Sequence, residues 1–106
     1  MDRQPCVYIL ASGKHGTFYI GVTSNLLGQL QQHREGLIKG FTSRYDVVRL
    51  VHYEMADTMD AAIAREKQLK KWNRDRKVTL IERDNPDWDD LAIGLGLDPV
   101  TGRHSR

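Results

Sequence analysis

The chain has 106 residues and a formal net charge of +2, with 40% apolar and 28% charged residues. That length supports one domain with a single modest core, and the composition is that of an ordinary globular protein. The single cysteine, Cys6, excludes an internal disulfide framework; with no apolar run long enough to span a membrane and no signal-peptide core, the expectation is a cytoplasmic protein.

Residues 6–12, "CVYILAS", form an apolar run of strand length, rich in β-formers and apolar on both faces, which predicts a central strand. Residues 12–17 hold two glycines and read as a loop, and "FYIGV" (18–22) as a second strand, so the pair is expected to be an antiparallel hairpin with a longer connection. Gly21 inside a strand marks a bulge or the close approach of another group. The next segment, "TSNLLGQLQQHREG" (23–36), opens on Ser24 and Asn25, both good N-caps, and closes on Gly36 as a C′ residue. Leu26, Leu30 and Leu37 share a helical stripe, with His33 inside it and Gln29 at its edge; Gly28 weakens this helix by roughly 1 kcal/mol relative to alanine.

A polar loop (36–45) precedes "DVVRLVHYE" (46–54), β-branched and aromatic, the third expected strand. Residues 57–72 are strongly helical, with Asp57 or Thr58 as cap, and Asn73 can cap a further helix over 74–83. Residues 84–91 contain Pro86 and read as a turn with a short docking segment. A domain over 1–92 and a loose tail over 93–106 are expected. The order β-β-α-β-α-α makes a small α+β domain.

Charge is uneven along the chain. Residues 1–61 balance six basic against six acidic side chains; residues 62–83 carry eight against three, net +5; residues 84–106 carry two against five, net −3. The basic block either attracts a polyanion through counterion release or is a solvated helix face.

Glu66 resists a pure packing account. It falls within one arc of the second long helix with Met59, Ala62, Ile63 and Leu69, where a carboxylate is costly unless paired or bound to a cation. An ion pair with Lys70, four residues on, is one resolution; a metal is the other. His33 is open in the same way, between core residue and chemistry, and Tyr8 and Tyr19 taken singly are ordinary strand tyrosines. Together, two phenols, an imidazole, one inward carboxylate and a basic helix end suit phosphodiester hydrolysis. A lone carboxylate can hold one hydrated divalent cation, and a tyrosine can act as general base if a cation lowers its pKa.

These residues carry a family resemblance. "CVYIL" and "FYIG", followed by "TSNL" and His33, resemble the GIY-YIG nuclease superfamily: Cys6-Val7-Tyr8 stands where the first tripeptide is expected and Tyr19-Ile20-Gly21 matches the second. "FTSRY" and "AIAREKQLKKWNRDRK" resemble its small single-domain bacterial branch, and the likeness covers residues 5–91. It implies a three-stranded antiparallel sheet flanked by helices and a metal-dependent endonuclease acting on DNA. By that resemblance Tyr8 is the base that activates water, and Tyr19 bonds the water or the scissile phosphate. His33 joins the cluster and helps take the phenol proton, and Glu66 carries one Mg2+ or Mn2+ ion. Tyr45, Lys70 and Asn73 match other family positions and are candidates for contacting the nucleic-acid backbone or shaping the site, and Arg44, Lys71, Arg74 and Lys77 are further candidates for nucleic-acid binding.

Two positions depart from the family pattern. Cys6 replaces a typical glycine and is expected to be benign. An arginine is normal on the first helix, eight residues after the glycine of the second motif; here it is Gln29. Arginine offers a fixed cationic fork to a phosphate oxygen, glutamine a neutral amide, and comparable losses cost on the order of 10³–10⁵ in rate. The leading expectation is therefore a nuclease, weakened or silenced by Gln29. Its DNA would be single-stranded or branched, since no duplex-reading helix-turn-helix or zinc finger is present. A catalytically silent nucleic-acid-binding module is the alternative. A protein-interaction domain that kept only the fold is a third reading, and it predicts no salt-dependent DNA affinity.

Overall fold

Strand β1 (Cys6–Ala11) is buried along its whole length, as a segment apolar on both faces requires. It is the middle strand of a three-stranded antiparallel sheet in the order β2-β1-β3, with β2 at Phe18–Thr23 and β3 at Arg49–Met55. The structure, a computed structural model, describes residues 4–35 and 46–97. Gly36, Leu37, Arg44, Tyr45 and the end of the expected tail lie outside those residues. The hairpin register sets Tyr8 opposite Gly21 and Leu10 opposite Tyr19. On the other side Tyr8 faces Tyr53, and the ladder shifts between Ile9 and Leu10, whose partners are His52 and Leu50.

Each helix begins at a side chain that accepts from an otherwise orphaned amide. Asn25 accepts from Gly28 N at 3.3 Å to open α1 (Leu26–Arg34). Thr58 accepts from Ala61 N at 3.1 Å to open α2 (Met59–Lys71), and Asn73 from Arg76 N at 2.9 Å to open α3 (Arg74–Asp84). A short fourth helix, α4 (Leu91–Gly94), follows Asp90. Among the described residues the element order is thus the expected β-β-α-β-α-α with one added turn of helix.

The sheet is covered on both faces. Val7, Ile9 and Val51 pack with Leu69 of α2, Leu80 and Ile81 of α3, and Trp88. Trp88 is fully buried, its Nε1 donates to Glu82 Oε2 at 2.7 Å, and Phe18 stacks on it at 5.5 Å. The opposite face carries Tyr8, Leu10 and Leu50, packed with Leu30 of α1 and Ala92 of α4. Leu95 and Leu97, in the stretch expected to be loose, lie against this second cluster. The segment before α4 also occupies the outer edge of β3: Leu50 N donates to Asp90 Oδ1, and Asn85 Nδ2 donates to Val51 O, both at 3.2 Å. Side chains thus take up edge groups that would otherwise invite pairing with another strand. Among the described residues no helix is long and apolar enough to cross a membrane.

Candidate active site

Tyr8 projects from the central strand and Tyr19 from β2, and both belong to the cluster on the α1 face. Their ring centroids are 6.3 Å apart. The last turn of α1 brings His33 against both, at 6.1 Å from the Tyr8 ring and 5.5 Å from the Tyr19 ring. Tyr8 Oη and His33 Nε2 are 3.2 Å apart, in hydrogen-bond contact.

Gly21 makes room for this arrangement. A Cβ there would stand 2.7 Å from Tyr8 Oη, 2.8 Å from Tyr8 Cζ and 3.0 Å from Tyr19 Cε2. The strand glycine therefore answers to close approach and not to a bulge, because the β1–β2 register runs without a shift. Gly21→Ala is expected to push the Tyr8 ring off His33 at a cost of about 1–3 kcal/mol, as overpacking does. Displaced Tyr8 ring-proton shifts and a lowered melting temperature would show it; an unchanged Tyr8 spectrum would contradict it.

Burial, followed by the neighbouring Tyr19, Cys6 and Glu66, pushes the Tyr8 pKa far above the ordinary phenol value, while a hydrogen bond from the Gln29 side chain pulls it down. Burial lowers the pKa of His33, which favours the neutral imidazole. With the imidazole protonated on Nδ1, His33 Nε2 accepts from the Tyr8 O–H; with the proton on Nε2 it donates to Tyr8 Oη instead.

Glu66 sits on α2 with its side chain 18% exposed, paired with Lys70 Nζ at 3.2 Å. The pairing anticipated from the four-residue spacing is present, and the carboxylate's charge also reaches Tyr8. The helix that carries Glu66 packs through Leu69 on the sheet face opposite Tyr8, and the Glu66 charge is the smallest of the influences on the Tyr8 pKa. Among the described residues no group of three or more His, Cys, Asp or Glu could hold a metal ion. A lone carboxylate fits a hard cation that keeps most of its water, as magnesium prefers, and does not fit a zinc centre. Lys70, 54% exposed, is the cation on Glu66 in this structure.

The basic segment divides its work. Lys71 is exposed and Lys77 half-buried. The side chain of Asn73 caps α3. Arg74 donates through Nη2 to the carbonyls of His15 and Gly16, at 2.6 and 2.7 Å, and lies 4.3 Å over the Phe18 ring, so it anchors the β1–β2 loop. Arg65 and Arg76 lie 5.1 and 3.8 Å from the Trp72 ring, a cation–π grouping that sequence reading did not single out. Arg44 and Tyr45 lie outside the described residues. The other feature not anticipated is the pair Arg34–Asp90 at the end of α1, formed across 56 positions with no local signal in either segment.

Residues 4–79 match the GIY-YIG catalytic domain family. Similar curated proteins include a UPF0213 protein of Syntrophus aciditrophicus (strain SB), 39% identical over 82 residues that cover 76% of this chain and 92% of that protein. Another is the UPF0213 protein HQ_3675A of Haloquadratum walsbyi, 33% identical over 82 residues, 77% of this chain and 91% of that one. Among solved structures, the solution NMR structure of the UPF0213 protein BH0048 from Bacillus halodurans is similar with a TM-score of 0.52 and 23% identity, covering 82% of this chain and 92% of that one. That likeness is one of fold.

Proposed function

The chain belongs to the GIY-YIG catalytic domain family, whose members are generally endonucleases, and on that premise we propose that it binds DNA and hydrolyses phosphodiester bonds slowly at the Tyr8–Tyr19–His33–Glu66 cluster. The observation that carries this reading is the line from Gln29 through Tyr8 to His33, with the Glu66 charge felt at the same phenol. Tyr8 is the base for the attacking water. His33, neutral and in hydrogen-bond contact with Tyr8, takes the phenol proton, and Tyr19 orients the water or the phosphate. Glu66 would hold Mg2+ or Mn2+, which when bound neutralises charge growing on the phosphate. Lys70 and Lys71 offer cations to the backbone, with Lys77 beyond them.

Residue 29 sets the pace. The Gln29 amide donates to Tyr8 but brings no charge to stabilise a phenolate or a phosphate oxygen. That neutrality also supports a second reading, a nucleic-acid binder with no turnover. Fluorescence anisotropy and a cleavage assay on single-stranded and branched DNA separate the two. The expected result is DNA affinity that falls about tenfold or more between 50 and 200 mM salt, with slow nicking that needs Mg2+ or Mn2+ and stops with a chelator. Salt-dependent binding without nicking would favour the silent binder, and no salt-dependent binding would contradict both.

A further inference from the structure

Asp90 is a junction of three elements. Its two carboxylate oxygens accept from Arg34 Nη2, Oδ1 at 2.7 Å and Oδ2 at 2.6 Å. Oδ1 also accepts from Leu50 N of β3 at 3.2 Å and from Ala92 N of α4 at 3.1 Å. The side chains of Arg34 and Asp90 are only 8% and 10% exposed. A desolvated ion pair of this kind contributes little net stability over an apolar pair of the same shape, but it fixes geometry closely.

What it fixes is the end of α1 that bears His33. The helix has nine residues, too few to be stable alone, and Gly28 weakens it further. Its buried side chains are Leu30, His33 and Arg34. Leu30 packs on the sheet, His33 touches both tyrosines, and Arg34 ties the last turn to Asp90. Asp90 itself is held by β3 and opens α4, whose Ala92, with Leu91, Leu95 and Leu97, packs on the Tyr8 face. Asp90 and α4 lie beyond the matched residues 4–79, while α1 and β3 lie within them.

We propose that the segment 85–97 is a clamp, and that Arg34 and Asp90 are positioning residues that set His33 against Tyr8. The proposal rests on the reading of Tyr8 and His33 as the working pair. It makes the distance between phenol and imidazole depend on chain outside the family domain.

The test uses the full chain and reads geometry rather than turnover. Asp90→Asn alone would remove the charge that the buried Arg34 guanidinium is paired with here and can unfold the protein, so the main variant is the double change Arg34→Gln with Asp90→Asn. Imidazole ¹H–¹⁵N correlation spectra report the tautomer and titration midpoint of each histidine, with His15 and His52 as internal controls. The wild type is expected to show His33 as a single tautomer protonated on Nδ1, with a depressed midpoint. In the double variant the midpoint should shift upward and the single tautomer should be lost, while His15 and His52 stay as they were. Arg34→Lys keeps both charges but loses the planar guanidinium, and should shift His33 the same way to a smaller extent. A folded double variant, or a folded lysine variant if the double one does not fold, with an unchanged His33 spectrum would overturn the clamp. Neither spectrum depends on cleavage, so an inert wild type would count against the proposed hydrolysis while His33 still decided the clamp.

Discussion

Gln29→Arg is expected to raise metal-dependent cleavage by about 10³-fold or more, the scale on which a transition-state arginine acts. Two effects add. The guanidinium meets a developing phosphate charge that an amide cannot match, and it sits where Gln29 already donates to Tyr8 Oη. Of the influences on the Tyr8 pKa, burial, Tyr19, Cys6 and Glu66 all hold the proton on, and Gln29 alone works against them. A permanent positive charge at that position favours the phenolate, so the Tyr8 pKa falls. If phenolate is the base, the rate rises with pH until Tyr8 ionises. The arginine variant should therefore reach its plateau at a lower pH than the wild type as well as a higher rate. Cleavage no faster in a folded, DNA-binding arginine variant would mean that the site lacks more than one charge.

Tyr8→Phe, introduced on the arginine background where turnover is measurable, is expected to lower the rate by about 10²–10⁴, the usual worth of a positioned general base. DNA affinity should change by less than about twofold, because backbone affinity comes from cations and not from this phenol. Stability should fall by about 1–3 kcal/mol, since the buried His33 Nε2 loses its Tyr8 hydrogen bond and phenylalanine offers nothing in its place. Turnover surviving in the phenylalanine variant would remove Tyr8 as the base and shift attention to Tyr19, whose ring centroid is 5.5 Å from that of His33.

Much of the scaffold could be read locally. A run apolar on both faces announced the central strand β1, and Asn25, Thr58 and Asn73 announced the starts of three helices, because capping is decided within a few residues. The strand glycine at 21 left a bulge and a close approach both open, and the fold decides for the second, because only the missing Cβ admits Tyr8. The features that escaped are those settled by distant partners. Arg74 looked like one more cation in a basic run, yet the carbonyls of His15 and Gly16 claim it from 59 and 58 positions away. Nothing local marks Arg34 on α1 or Asp90 in the turn before α4 as partners, and only the fold sets them together in the interior. Leu95 and Leu97 read as tail because a sparse apolar pattern gives no period, while their burial depends on where α4 docks.

The central claim is that the Glu66 carboxylate shares one ion-accessible cleft with Tyr8, Tyr19 and His33. Manganese titration followed by NMR tests it directly, because paramagnetic Mn2+ broadens only the nuclei near it. Broadening of the Tyr8, Tyr19 and His33 ring signals at substoichiometric Mn2+, abolished in a folded Glu66→Gln variant, is the predicted result. Broadening confined to the acidic stretch 84–90, or unchanged by Glu66→Gln, would contradict the account.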